Sequence, residues 1–134
     1  MKLLGDGFRL EIDILGYKYT EAVLREDRNW LSCKVTGEHI DGEFKFDCLI
    51  QTYDLIEWMK SLKSDSSLVV LSFPEDDASI SMRKEDGCVK QVEISYTKKW
   101  SGGAMSQKVV FATQMLAKEI CETLEEMMLA YPVL

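Results

Sequence analysis

Residues 30–51 read WLSCKVTGEHIDGEFKFDCLIQ. Leu31, Cys33 and Val35 on one side of Asp41-Gly42, and Phe44, Phe46, Cys48 and Ile50 on the other, recur at every second position, as in two half-buried strands. Asp-Gly between such runs is a strong short-range hairpin signal. A two-residue type I′ turn at Asp41-Gly42 predicts the pairs His39–Phe44, Gly37–Phe46, Val35–Cys48 and Cys33–Ile50, so the apolar sets of the two strands coincide. The same register puts Glu38 across from Lys45 and Ser32 across from Gln51 on the outer face. Trp30 falls on that polar face, with Leu49 beside it and Leu15 as a possible third member. The largest apolar side chain is thereby set away from the core.

Upstream, FRLEIDI (residues 8–14) alternates Phe8, Leu10, Ile12 and Ile14 against Arg9, Glu11 and Asp13, and reads as a first strand. A loop of mixed charge from about Gly16 to Asn29 joins it to Trp30; loops of that length tend to be functional. Downstream, Thr52 as N-cap and Asp54 in the first turn open a helix over about residues 53–63, with Leu55, Met59 and Leu62 at helical spacing and Trp58 beside them. LVVLSF (68–73) is a continuous apolar run that predicts a central strand, ended by an acidic turn, PEDD (74–77).

A second hairpin lies in ASISMRKEDGCVKQVEISY (78–96). A two-residue turn there sets Ile80 against Glu93, so a three-residue loop, Glu85-Asp86-Gly87, is preferred, which pairs Ile80 with Val92 and Ala78 with Ile94. TKKWSGGAMS (97–106) reads as a basic, glycine-rich loop carrying Trp100, followed by a strand near 105–112 with Val109 and Phe111 inward. Thr113 then caps a helix whose stripe is Leu116, Ile120, Leu124, Met127 and Tyr131, and Pro132 stops it. The order βββα ββββα predicts an α+β fold: a largely antiparallel sheet of about seven strands with two helices on one face. The order has a weak twofold character without a sequence repeat.

At 134 residues one domain, 1–134, is expected, and at that length folding buries about two-thirds of the chain's surface. Twenty-three acidic against 16 basic residues leave a net charge of −7. This argues against nucleic acid, whose phosphates need a basic stripe, and favours a basic protein as partner. MKLLGDGFRLE has no signal-peptide core and no stretch approaches the ~20 apolar residues of a membrane span, so a cytoplasmic protein without membrane attachment is expected. Cys33, Cys48, Cys88 and Cys121 lack C-x-x-C spacing and read as reduced thiols rather than a disulfide or zinc framework.

Chemistry-bearing constellations are sparse. His39 faces the side of Cys33 and Cys48, but Cys48 is expected diagonal to Cys33 and His39 several residues along the strand, so no thiol–base pair is assembled and no catalytic residue is assigned. No cofactor or metal site is expected, and Gly102-Gly103 lacks the lysine and helix N-terminus of a phosphate loop. Glu26-Asp27, Glu75-Asp76-Asp77 and Glu85-Asp86 all fall in predicted turns, where carboxylates are normally solvated. A small-ligand or regulatory domain using the open face of the sheet is a reading from another class.

NWL (29–31), GEFKF (42–46), CLIQTYDLIEWMKSL (48–62) and the terminal helix closing on YPV (131–133) together resemble the WapI-like immunity proteins of bacterial polymorphic toxin systems. The resemblance covers nearly the whole chain; one departure is Tyr19-Thr20, where the family often has proline in its first long loop. It implies a cytoplasmic antitoxin, not an enzyme, that binds and blocks a cognate toxin domain. Such toxins are often nucleases, whose basic grooves suit an acidic inhibitor. Glu26, Asp27, Trp30, Glu75, Asp76, Asp77 and Trp100 are then the candidate partner-binding residues, with Trp30 either sealing the 16–29 loop or anchoring the partner.

Overall fold

The computed structural model describes residues 1–134, the side chain of Pro74 excepted. Its elements are β1 (Lys2–Gly5), β2 (Phe8–Tyr17), β3 (Trp30–His39), β4 (Gly42–Gln51), α1 (Thr52–Lys63), β5 (Leu68–Phe73), β6 (Ala78–Glu85), β7 (Cys88–Trp100), β8 (Gly103–Leu116) and α2 (Ala117–Ala130). Short 3-10 turns occupy Glu26–Asn29 and Pro74–Asp76. The fold is α+β, with one antiparallel sheet in the order β4-β3-β2-β1-β8-β7-β6-β5. The eighth strand, β1, turns the expected βββα ββββα into two runs of four strands and a helix, so the twofold character is complete in the elements.

Inward-facing residues of all eight strands except the ends form one core with Leu55, Trp58, Met59 and Leu62 of α1 and Ile120, Cys121 and Leu124 of α2. Both helices therefore cover the same face of the sheet. The sheet curls round them until its edge strands approach: the rings of Phe46 in β4 and Phe73 in β5 meet edge-on at 6.3 Å. Across this seam the Leu49 N–H donates to the Asp76 carboxylate at 2.7 Å. An aromatic chain fills the curl, from Phe111 stacked on Phe8 at 4.1 Å to Tyr96 stacked between Phe44 at 5.0 Å and Phe46 at 5.2 Å.

Both hairpin registers differ from expectation by two residues. In the first, Ile40 and Asp41 form the turn and Gly42 follows at φ 154°, so Cys33 meets Cys48, Val35 meets Phe46 and Gly37 meets Phe44. Glu38 consequently lies opposite Glu43, with Arg9 of β2 across from it on its other side. In the second, the turn is the two-residue Asp86-Gly87, with φ of 51° and 74°, and a bulge at Lys90 carries the strands back into phase, pairing Ile80 with Ile94. A bulge supplies the odd residue that a longer loop was expected to supply. A two-residue slip leaves every side chain on its predicted face, because faces repeat every second residue.

Four further expectations are corrected. LVVLSF is an edge strand with alternating burial rather than a central one, leaving Leu68 and Val70 exposed. TKKWSGGAMS is no loop: β7 runs to Trp100, which pairs with Gly103 across Ser101-Gly102. Thr113 does not cap α2; it is buried in β8, where its hydroxyl donates to the Leu4 carbonyl, and α2 begins at Ala117. Likewise the cap of α1 is Gln51, whose N–H is taken by the Asp54 carboxylate at 2.6 Å in a capping box.

Thr52 instead reaches Asn29, a 1 % exposed residue where three segments meet. The Asn29 amide oxygen accepts from the Thr52 hydroxyl at 3.1 Å and from the Leu134 N–H at 2.7 Å, while its amide nitrogen donates to the Arg25 carbonyl at 3.2 Å. A buried amide with both ends satisfied fixes geometry, since leaving either end unpaired there is costly. The loop after β2 is further tied to the tail by Tyr17 Oη donating to the Pro132 carbonyl at 2.6 Å and Arg25 Nε to the Leu134 carbonyl at 2.8 Å.

Candidate partner-binding surface

Two of the acidic turns contain short 3-10 segments, Glu26–Asn29 and Pro74–Asp76, and the third, at Glu85-Asp86, is part of the β6–β7 hairpin. Glu26 and Asp27 occupy the first turn of Glu26–Asn29 and are exposed, while the exposed Arg25 and Arg28 beside them donate to the Leu134 and Ala22 carbonyls. Glu75 is exposed, and Asp76 is half-buried because it caps Leu49. Asp77 stands in the left-handed region at φ 49°, where aspartate is tolerated, and its carboxylate accepts from the Thr97 hydroxyl at 3.4 Å. That bond brings the second acidic turn against β7, three residues before Trp100.

Trp100 is 53 % exposed at the tip of the β7–β8 hairpin. Its ring lies over Gly103, where a Cβ would stand 3.0 Å from it. Trp30 starts β3 on the outer face opposite Gln51, half-buried and outside the core cluster; its carbonyl accepts the Lys18 N–H at 2.8 Å. Leu15 is displaced by the bulge in β2 and remains 64 % exposed, so the expected seal of Leu15, Trp30 and Leu49 is not closed.

Between β4 and β7 the curl leaves a cleft of about 620 Å³ lined by Glu43, Lys45, Asp47, Asp76, Lys98 and Lys99, with Phe44, Phe46 and Tyr96 beneath. Of the candidate residues, Asp76 faces this cleft directly and Trp100 follows its lysine wall in sequence. Asp27 lines a separate hollow with Lys18 and Tyr19. The structure thus joins Glu75–Asp77 to the Trp100 hairpin and sets Glu26 and Asp27 apart from them. Sequence reasoning missed the cleft, whose walls are neighbours only through the curl of the sheet.

Cys33 and Cys48 lie directly opposite one another rather than diagonally, and His39 sits at the far end of β3, its ring near Phe8 at 5.8 Å. The hydrogen bond that the Cys48 thiol gives to the Cys33 sulfur, together with burial, pushes that thiol far above its ordinary range, the reverse of an activated nucleophile. Among the described residues no group of three His, Cys, Asp or Glu side chains is placed to hold a metal ion. No helix is long and apolar enough to cross a membrane.

Neither a curated protein nor a solved structure matches the chain. Residues 2–132 match the model of the immunity protein WapI-like family. That span runs from the first residue of β1 to the Pro132 that ends the last helix, so it takes in every element described above. The chain therefore belongs to the WapI-like immunity protein family.

Proposed function

We propose that this protein acts in the cytoplasm by binding the toxic domain of a cognate polymorphic toxin and neutralising it as a non-enzymatic inhibitor, and that the domain it covers is basic, as a nuclease is. The observation that carries this reading is the family match over residues 2–132. The charge of −7 supports the basic partner, since complementary fields raise association rates and exclude wrong partners. Glu26, Asp27, Glu75, Asp76, Asp77, Trp30 and Trp100 are the proposed contacts. Coexpression with the toxin domain encoded directly upstream tests it: growth should be restored and the two chains should copurify, and failure of both overturns the proposal.

Two further outcomes check its finer parts. The association rate should fall at least tenfold between about 0.01 M and about 0.15 M salt, as the screening length shrinks from ~30 to ~8 Å. A rate indifferent to salt rules out electrostatic steering by a basic partner. Trp100→Ala should move Tm by less than about 3 °C, because the ring is largely in water, yet weaken toxin binding at least tenfold, about 1.4 kcal/mol, if it is an anchor. Titration calorimetry of the purified pair, beside thermal melts, reads both.

A further inference from the structure

The curled sheet closes unevenly. β6 meets β7 only as far as the pair Ser79–Ser95, so Tyr96–Trp100 pair with β8 alone. Across the gap β4 is an edge strand paired with β3 alone. Two strand margins, Glu43–Asp47 and Tyr96–Lys99, are therefore the long walls of the 620 Å³ cleft.

The open side of β4 can be identified group by group. Its last two outward N–H groups are capped, Leu49 by Asp76 at 2.7 Å and Gln51 by Asp54 at 2.6 Å. Backbone groups alternate sides along a strand, so the N–H and C=O of Asp47, Lys45 and Glu43 face the same way, into the cleft. Among the described residues nothing caps those of Lys45 or Glu43. The side chains of Glu43, Lys45 and Asp47 are exposed on the outer surface, while Phe44 and Phe46 point to the floor. Charges along an open edge discourage indiscriminate pairing, and the facing glutamates Glu38 and Glu43 add to that guard.

We infer that the toxin domain inserts an extended segment into this cleft as an additional strand on β4. This rests on the immunity reading and names how the partner is held. Five residues, Glu43–Asp47, offer a span of about 13 Å at the rise of a strand, enough for a short segment whose main chain pairs with β4. Its alternate side chains are apolar where they meet Phe44, Phe46 and Tyr96. Its outward side chains are basic, matched to the carboxylates of Glu43, Asp47 and Asp76, while Lys98 and Lys99 bound the opposite wall.

Lys45→Pro tests this. Lys45 spends its N–H on the open edge rather than on the β3 ladder, so proline removes the donor that an added strand needs and spares the sheet. Binding of the upstream toxin domain should fall at least tenfold with Lys45→Pro, whereas Lys45→Ala, which keeps the N–H, should stay within threefold of wild type. Should proline unfold the chain, amide exchange on the wild-type protein decides instead: the Lys45 and Asp47 amides should slow at least tenfold on adding the toxin domain. Normal binding by folded Lys45→Pro, or no slowing at these amides in a formed complex, overturns strand addition and leaves the immunity reading standing. Slowing that depends on the concentration of this chain alone assigns the edge to a second copy and overturns it as well. If wild type does not bind the toxin domain, the immunity reading falls and strand addition with it.

Discussion

Phe73→Ala should destabilise the protein by about 3–5 kcal/mol, lowering Tm by roughly 10–20 °C, the largest loss expected of any single truncation here. Phe73 is 0 % exposed and ends β5 where the sheet's two edges approach. Its ring meets Trp58 of α1 at 5.5 Å and 74° and Phe46 of β4 at 6.3 Å and 85°, both edge-to-face arrangements with favourable quadrupole geometry. Truncation therefore loses burial and leaves a cavity where side chains of α1, β4 and β5 meet. The core there cannot collapse readily, since neither β4 nor β5 has a ladder partner across the seam to draw it inward. Thermal melts with denaturant titrations measure the loss. A cost below about 1.5 kcal/mol would mean that the seam is loose and that the aromatic chain does not hold the curl.

The faces of this fold are written in the sequence and its registers are not. Alternation assigns Leu10, Ile12, Leu31, Val35, Ile50, Ile80 and Ile94 to the interior, where they are found. Yet both hairpins slip by two residues, and no pattern of apolar and polar residues can detect such a slip, because it restores the same faces. Only the turn could decide, and at Ile40-Asp41 and Asp86-Gly87 the chain uses a different residue pair or an added bulge. β7 beyond Tyr96 escaped notice for another reason: Lys98, Lys99 and Trp100 are exposed, so their strand rests on main-chain pairing with β8 and carries no apolar signature.

The candidate surface was legible in its parts only. Acidic residues in turns are read from local chemistry, and Glu26, Asp27, Glu75 and Asp76 do sit in 3-10 turns. Their neighbours are not local. Asp76 finds Leu49 27 residues earlier, and Asp77 finds Thr97 20 residues later. Asn29, at the end of the 16–29 loop, binds Leu134 105 residues away. Such pairs depend on how far the sheet curls, which is set by packing of the aromatic chain and not by any segment alone.

Gly5→Ala should cost about 3 kcal/mol, the upper end of the range for overpacking, although alanine is the smallest possible addition. β1 was missed as a strand because Leu3 and Leu4 are adjacent and only Leu3 is buried, so KLLG shows no alternation. It is nevertheless the strand that joins the two halves of the sheet, through the single pair Gly5–Thr113 and the Thr113 hydroxyl on Leu4. A Cβ at Gly5 would collide with the Ala112 carbonyl oxygen and the Phe111 ring. The ring is stacked on Phe8 and the carbonyl belongs to the backbone of β8, so neither can swing aside, and the two halves must part instead. At Gly37 a Cβ would meet the Phe44 ring alone, a half-buried side chain that lines the cleft, and no backbone atom. Gly5→Ala should therefore be the more damaging of the two by at least about 1 kcal/mol, and amide exchange in β1 and at Thr113 should quicken ahead of exchange in β3. If Gly37→Ala costs as much, or if β1 stays protected in Gly5→Ala, then the junction of the halves is not held by that close approach.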